Sequence, residues 1–232
     1  MQSLIFLNKM SVAEKEINQP VRKGSFLEEN SKSLLFIAGA VVVLVAIYFW
    51  YQNVYLKNRA EEASAKMYRA EQYIGGPDSL ANKAINGEGG YPGLEKIADE
   101  YDNTKSANLA NLYLGGIYLR KGEYKKATEV LGKYSETGSV VADPLALGLL
   151  GDAYSELKDF KQAATYYKKA ADKASNKFTS PMFLKKLGLV YENNKDFKSA
   201  EEAYTKIKTQ YPESQEAAMI DEYIARAAAQ VK

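Results

Sequence analysis

Carboxylates that stand side by side are the first candidates for chemistry, because a pair of acids facing one substrate is common hydrolytic machinery. The chain carries such pairs at Glu61-Glu62, Asp99-Glu100, Glu201-Glu202 and Asp221-Glu222. Adjacent residues on a helix do not face each other, so none of these pairs converges on one site. Solvated helix surface is their expected role. The 232 residues include no histidine and no cysteine. That excludes triads with an imidazole base, thiol chemistry, disulfide scaffolds, haem attachment and zinc fingers. Glycines cluster at residues 87–93, but without the Gly-Lys-Ser/Thr that cradles a phosphate. No catalytic, cofactor-binding or metal-ligating residue is expected. The chain reads as a binding protein rather than an enzyme.

Composition narrows the kind of partner. A content of 46% apolar and 26% charged side chains describes a folded chain. With 31 basic and 29 acidic residues the formal charge is +2, which gives no case for nucleic acid. Residues 108–212 hold seventeen basic and twelve acidic side chains, a lysine-rich solvated surface rather than a basic patch. Seven of the 18 tyrosines fall at helix-packing positions, which argues against a base-stacking surface.

One segment departs from this soluble average. From Ser33 to Leu56 there is no charge for 24 residues. As a helix, its apolar centre from Leu34 to Tyr51 extends about 27 Å, close to the hydrocarbon thickness of a bilayer. Tyr48, Phe49, Trp50, Tyr51 and Tyr55 gather at one end, as in an aromatic belt at the membrane–water interface. A cleaved signal peptide needs small-x-small just after the apolar run, where Tyr48-Phe49-Trp50-Tyr51 stands instead. An uncleaved transmembrane anchor over residues 34–56 is expected, with Leu34, Trp50 and Tyr51 marking its limits. Arg22, Lys23 and Lys32 precede it and Lys57, Arg59, Lys66 and Arg69 follow it, so flanking charge does not orient it. The expected arrangement is a short polar tail (1–33) inside and a large domain outside. Met1 and Met10 both stand open as the start.

The remainder has helical periodicity and repeats itself. Leu114-Gly115, Tyr118, Ala127 and Leu131 recur as Leu150-Gly151, Tyr154, Ala163 and Tyr167, and again as Leu187-Gly188, Tyr191, Ala200 and Tyr204. The internal spacing is identical, and the units are offset by 36 and 37 residues. Small residues on both helices of a hairpin let them approach closely. The turns carry Lys-Gly-Glu-Tyr (121–124) and twice Lys-Asp-Phe (158–160, 195–197), and Pro212 closes the third unit. This pattern resembles the tetratricopeptide repeat. The expected fold is all-α, a transmembrane helix followed by a solenoid of such hairpins. A degenerate first hairpin is expected over 57–107 with a Gly-rich loop at 75–93, three repeats over 108–212, and a capping helix over 213–232. Ala60, Ala63, Met67, Ala70 and Ile74 form the stripe of the first helix, and Leu94, Ile97, Ala98 and Tyr101 that of its partner. Ala217, Ile220, Ile224, Ala227 and Val231 form that of the cap.

The resemblance also implies where a partner would lie. With the glycine as position eight, the groove positions of the first unit are Leu109, Leu112, Gly116, Leu119 and Arg120. Those of the second include Leu145, Gly148, Asp152, Ser155 and Glu156, and those of the third Met182, Lys185, Leu189, Glu192 and Asn193. Members that clamp a peptide's terminal carboxylate use lysine and asparagine where Leu112 and Gly116 stand, so that clamp is absent. Two readings of the leucines remain: an open peptide groove, or packing against the preceding helix and residues 75–93.

A further resemblance rests on Phe26-x-Glu28-x-Asn30-x-Lys32-x-Leu34 leading into the anchor, the Trp50-Tyr51 at its end, and Ala63-Ser64 and Tyr68 beyond. The arrangement is similar to that of the YfgM-like ancillary subunits of the bacterial Sec translocon. It implies an inner-membrane protein with one span and a periplasmic repeat domain. The implied partners are translocon subunits, a periplasmic chaperone and unfolded client segments, with the lipid bilayer around the span. The alternative is an anchored scaffold of another envelope complex, in cell division or outer-membrane assembly, without chaperone activity.

Overall fold

The computed structural model describes residues 30–231, so both candidate start methionines and the tail residues Arg22, Lys23, Phe26 and Glu28 lie outside the described residues. The chain divides into two compact units between Val54 and Tyr55. In the first, α1 (Ser31–Trp50) buries no residue. Leu35 and Phe36 are 78% and 80% exposed, Trp50 and Tyr51 are also exposed, and Leu34 is half-buried. A helix built for a protein core hides one face, and α1 hides none. Helical residues 31–74 contain the one stretch among those described that is long and apolar enough to cross a membrane. A π-helical turn, Tyr51–Tyr55, follows α1.

The second unit is nearly all-α and carries a helical repeat. It begins with α2 (Leu56–Ile74) and α3 (Asp78–Asn86). A two-residue β-pair, β1 (Gly87–Glu88) against β2 (Tyr91–Pro92), leads into α4 (Leu94–Glu100). Three hairpins follow: α5 (Lys105–Arg120) with α6 (Tyr124–Gly132), α7 (Ala142–Glu156) with α8 (Phe160–Ala174), and α9 (Thr179–Asn193) with α10 (Phe197–Gln210). A 3₁₀ turn (Gln215–Met219) and α11 (Ile220–Ala228) close the array. The first helices α5, α7 and α9 touch in succession, so one side of the stack is theirs.

The turn inside each hairpin is the same object. Gly122, Lys158 and Lys195 hold φ of 74°, 63° and 61°, the left-handed step that ends a helix. The next amide in each case donates to the repeat tyrosine's carbonyl, Glu123 to Tyr118, Asp159 to Tyr154 and Asp196 to Tyr191. Asp159 and Asp196 then cap the following helix, accepting from Gln162 N (3.1 Å) and Ser199 N (3.2 Å). Glu123 makes no cap bond and pairs with Lys121 and Lys126 instead.

Packing explains the repeat's small residues. Ala127, Ala163 and Ala200 are each 0% exposed. A Cβ at Gly115, Gly151 or Gly188 would stand 2.3 Å from Leu131, 2.6 Å from the Tyr167 ring and 2.2 Å from the Tyr204 ring. The glycine's nearest neighbour is therefore the side chain one turn beyond the alanine, not the alanine itself. Between units the same device recurs: a Cβ at Gly148 would lie 1.9 Å from the Phe183 ring. The core forms two clusters, one around Leu114, Ile117 and Leu131 and one around Phe183, Tyr204 and Ile207.

Two expectations need correction. Residues 75–93 are not one loop, because Ala81, Ala84 and Ile85 give nine of them a buried face and Asp78 starts α3 after Pro77. The stripe of the cap ends before Val231, which is exposed beyond the end of α11.

Asp143 carried no signal in the sequence, yet it is 1% exposed. Its carboxylate accepts from Thr137 N (2.9 Å), Thr137 Oγ1 (3.0 Å), Gly138 N (2.8 Å) and the Tyr134 hydroxyl (2.9 Å). Burial pushes its pKa up, but these bonds outweigh burial and hold it below the usual value.

Two outcomes follow. Gly151→Leu drives a side chain into the Tyr167 ring and should destabilise the protein by about 1–3 kcal/mol, measured by thermal unfolding. Asp143→Asn places an amide donor against amide donors and should cost a similar amount near neutral pH, roughly 1–3 kcal/mol. Because the folded-state pKa of Asp143 is depressed, its contribution is complete above about pH 5 and fades as pH falls below about 4. The gap between wild type and Asp143→Asn should close in that acid window, and a gap that stays constant from pH 7 to 3 contradicts the assignment.

Candidate partner-binding cleft

Between α5 and α7 lies a cleft of about 410 Å³. On the α5 side it is lined by Gly116, Leu119 and Arg120, and on the α7 side by Leu149, Asp152, Ser155 and Glu156. Tyr124 and Tyr167 complete it from the second helices. Gly116 leaves the space open: a Cβ there would meet nothing within 4 Å. Leu119 and Leu149 are half-buried against the first core cluster, so they give the cleft an apolar wall with little freedom to move.

Charges sit at its rim and are already engaged. Asp152 accepts from Lys186 Nζ at 2.6 and 2.8 Å and from the Tyr167 hydroxyl at 2.5 Å. Burial, and then the Asp152 carboxylate, push the Tyr167 phenol above its usual pKa, so it stays a donor. Arg120 donates to the Ile74 carbonyl (2.8 Å), which ties α5 to the end of α2. The charge of Glu156, and then burial, raise the Tyr124 phenol.

These three hairpins repeat one turn and one glycine contact, and two of them share the aspartate cap. Residues 149–215 match the tetratricopeptide repeat family. Hairpin α5–α6 lies before the match and has the same turn and the same glycine contact as the two matched hairpins. Tetratricopeptide repeats are scaffolds for protein–protein interaction. No curated protein and no solved structure matches the chain.

Of the expected groove residues, Gly116, Leu119 and Arg120 of the first unit and Asp152, Ser155 and Glu156 of the second meet in the cleft, and the others scatter. Leu112 is 5% exposed, in the cluster that also holds Ala63, Met67 and Ala70 of α2. Leu109 and Met182 are half-buried against the two core clusters. Leu145 and Leu189 are partly exposed outside the cleft, at 38% and 36%. Lys185 lies over the Tyr223 ring of α11, 4.7 Å from its centroid. Beside it, Glu192 takes both Arg226 Nε (3.0 Å) and Arg226 Nη2 (2.7 Å). The cap thus engages Lys185 and Glu192 of the third unit's groove positions, while Leu189 and Asn193 stay exposed. Leu149, Tyr124 and Lys186 were missed, and of these only Tyr124 left a trace, as the aromatic that follows the turn.

Asp152 therefore holds the cleft wall together. Asp152→Ala leaves the Tyr167 phenol without its acceptor and should cost about 1–3 kcal/mol in denaturant unfolding. In the Tyr167→Phe background the same change should cost less, since the two share one bond. Equal costs in both backgrounds contradict the link.

Proposed function

We propose that the protein is a membrane-anchored scaffold for protein–protein interaction. In this reading α1 spans the bilayer and the cleft between α5 and α7 receives a segment of a partner chain. The single observation that carries the proposal is the empty, apolar-walled space over Gly116, open where every other inward glycine of the repeats is filled by a neighbouring side chain. Apolar walls contribute roughly 25 cal/mol per Å² covered, whereas exposed rim charges contribute little each, so the natural ligand is an extended apolar segment.

The finer reading is an ancillary or chaperone-like subunit at the bacterial Sec translocon, in the inner membrane with residues 57–232 in the periplasm. Translocon subunits, a periplasmic chaperone and unfolded segments of exported chains are its partners. It is supported by the anchor-then-repeat order and by a cleft sized for a short stretch of unfolded chain.

Gly116→Leu tests the cleft directly. The new side chain enters open space, and exchanging a mid-helix glycine for leucine favours the helix, so the fold should be unharmed. Binding of a fluorescent apolar peptide to the full chain in nanodiscs, read by anisotropy, should weaken at least about tenfold, or about 1.4 kcal/mol. Unchanged binding in a variant with unchanged circular dichroism places the partner site elsewhere.

A further inference from the structure

The two connections between the hairpins, residues 133–141 and 175–178, are built inside out. Ordinary surface loops turn polar side chains to water. Here several of the polar groups are spent inward. Asp143 gathers the amides of Thr137 and Gly138, and Ser139 Oγ accepts from Ala142 N (3.0 Å). In the second loop Asn176 Oδ1 accepts from Phe178 N (2.9 Å) and Thr179 N (2.8 Å). Alongside the exposed Lys133, Glu136 and Lys177, these loops present Val140 (65% exposed), Val141 (59%) and Phe178 (76%) to solvent. Asn176 Nδ2 also donates to the Val140 carbonyl (3.3 Å), which joins the two tips into one patch. Loops pinned by this many internal bonds cannot fold their apolar side chains back into the core.

The patch lies on a particular edge. Helices α7 and α9 start there, at the ends of these connections, and α5 starts beside them, where Asn108 Nδ2 donates to the Ser135 carbonyl (2.7 Å). So does α2: Arg59 donates to the Glu100 carbonyl and Ser106 Oγ to that of Ala60 (3.4 Å), while Arg120 meets Ile74 at the far end. The chain therefore enters the repeat unit on the same edge that displays Val140, Val141 and Phe178, and what precedes that point covalently is the apolar helix. The opposite edge holds the turns with Gly122, Lys158 and Lys195, which are exposed and whose most exposed large apolar residue is Leu157, at 36%.

We propose that this loop edge is a lipid-contacting surface, with Val140, Val141 and Phe178 entering the interface of the bilayer that holds α1. The proposal rests on reading α1 as a span. Lys177, with its ammonium 5.8 Å from the Phe178 ring centroid, supplies the headgroup-level cation beside the buried ring. Contact of this kind restrains the repeat unit at the membrane surface, where segments emerging through the bilayer first appear.

The chain has no cysteine of its own, so Val141→Cys, Phe178→Cys and Lys195→Cys each accept a single environment-sensitive NBD label on the full chain. The labelled chains are reconstituted into phosphatidylcholine nanodiscs with and without doxyl-labelled lipid. The expected result is blue-shifted emission at positions 141 and 178 that doxyl lipid quenches, with neither effect at 195. Water-like emission at all three positions overturns the proposal, as does a blue shift that doxyl lipid leaves unquenched, which would mean a protein contact instead. Co-elution with the disc reads the anchor separately. A chain that elutes without the disc overturns the span and this proposal with it, whereas a bound chain without quenching overturns this proposal alone.

Discussion

In each hairpin a glycine of the first helix faces a side chain of the second so closely that no Cβ fits between them. Leu131, Tyr167 and Tyr204 occupy that place over Gly115, Gly151 and Gly188. The rest of the unit depends on this approach. It sets the separation of the paired helices, fixes where the turn must reverse, and buries Ala127, Ala163 and Ala200 completely. Phe183 repeats the device against Gly148 and so couples one hairpin to the next. Because each unit covers only its neighbour, a bulky residue at one glycine is felt along the stack.

The same constraint decided what could be read from the sequence. Glycine, alanine and aromatic stand at fixed spacing because the helices cannot approach otherwise, and that spacing made three hairpins visible. The charge-free stretch before Lys57 was equally plain, since few forces other than lipid keep charge out for so long. Helix α3 was hidden by the glycines and proline on both sides of it, with only Ala81, Ala84 and Ile85 to mark its face. The cleft was half legible. Gly116, Leu119, Arg120, Asp152, Ser155 and Glu156 follow from repeat position, but Leu149 and the Lys186 that pairs with Asp152 stand at no groove position and left no signal. Leu112 lies in the cluster shared with α2, and its burial depends on how that cluster assembles, which no local pattern encodes.

The geometry also limits what the scaffold can hold. Glu192 is bound by Arg226 and Lys185 covers Tyr223, so the cap engages these two groove positions of the third unit. The cleft between α5 and α7, of about 410 Å³, stays open.

Photocrosslinking in cells tests this account most directly. A photoreactive residue in place of Leu149 lies in the cleft, and one in place of Gln162 lies exposed on α8 away from it. The account predicts discrete protein adducts from position 149, few from position 162, and loss of the former when Gly116→Leu is added. Equal adducts from both positions, or adducts at 149 that survive Gly116→Leu, would contradict it.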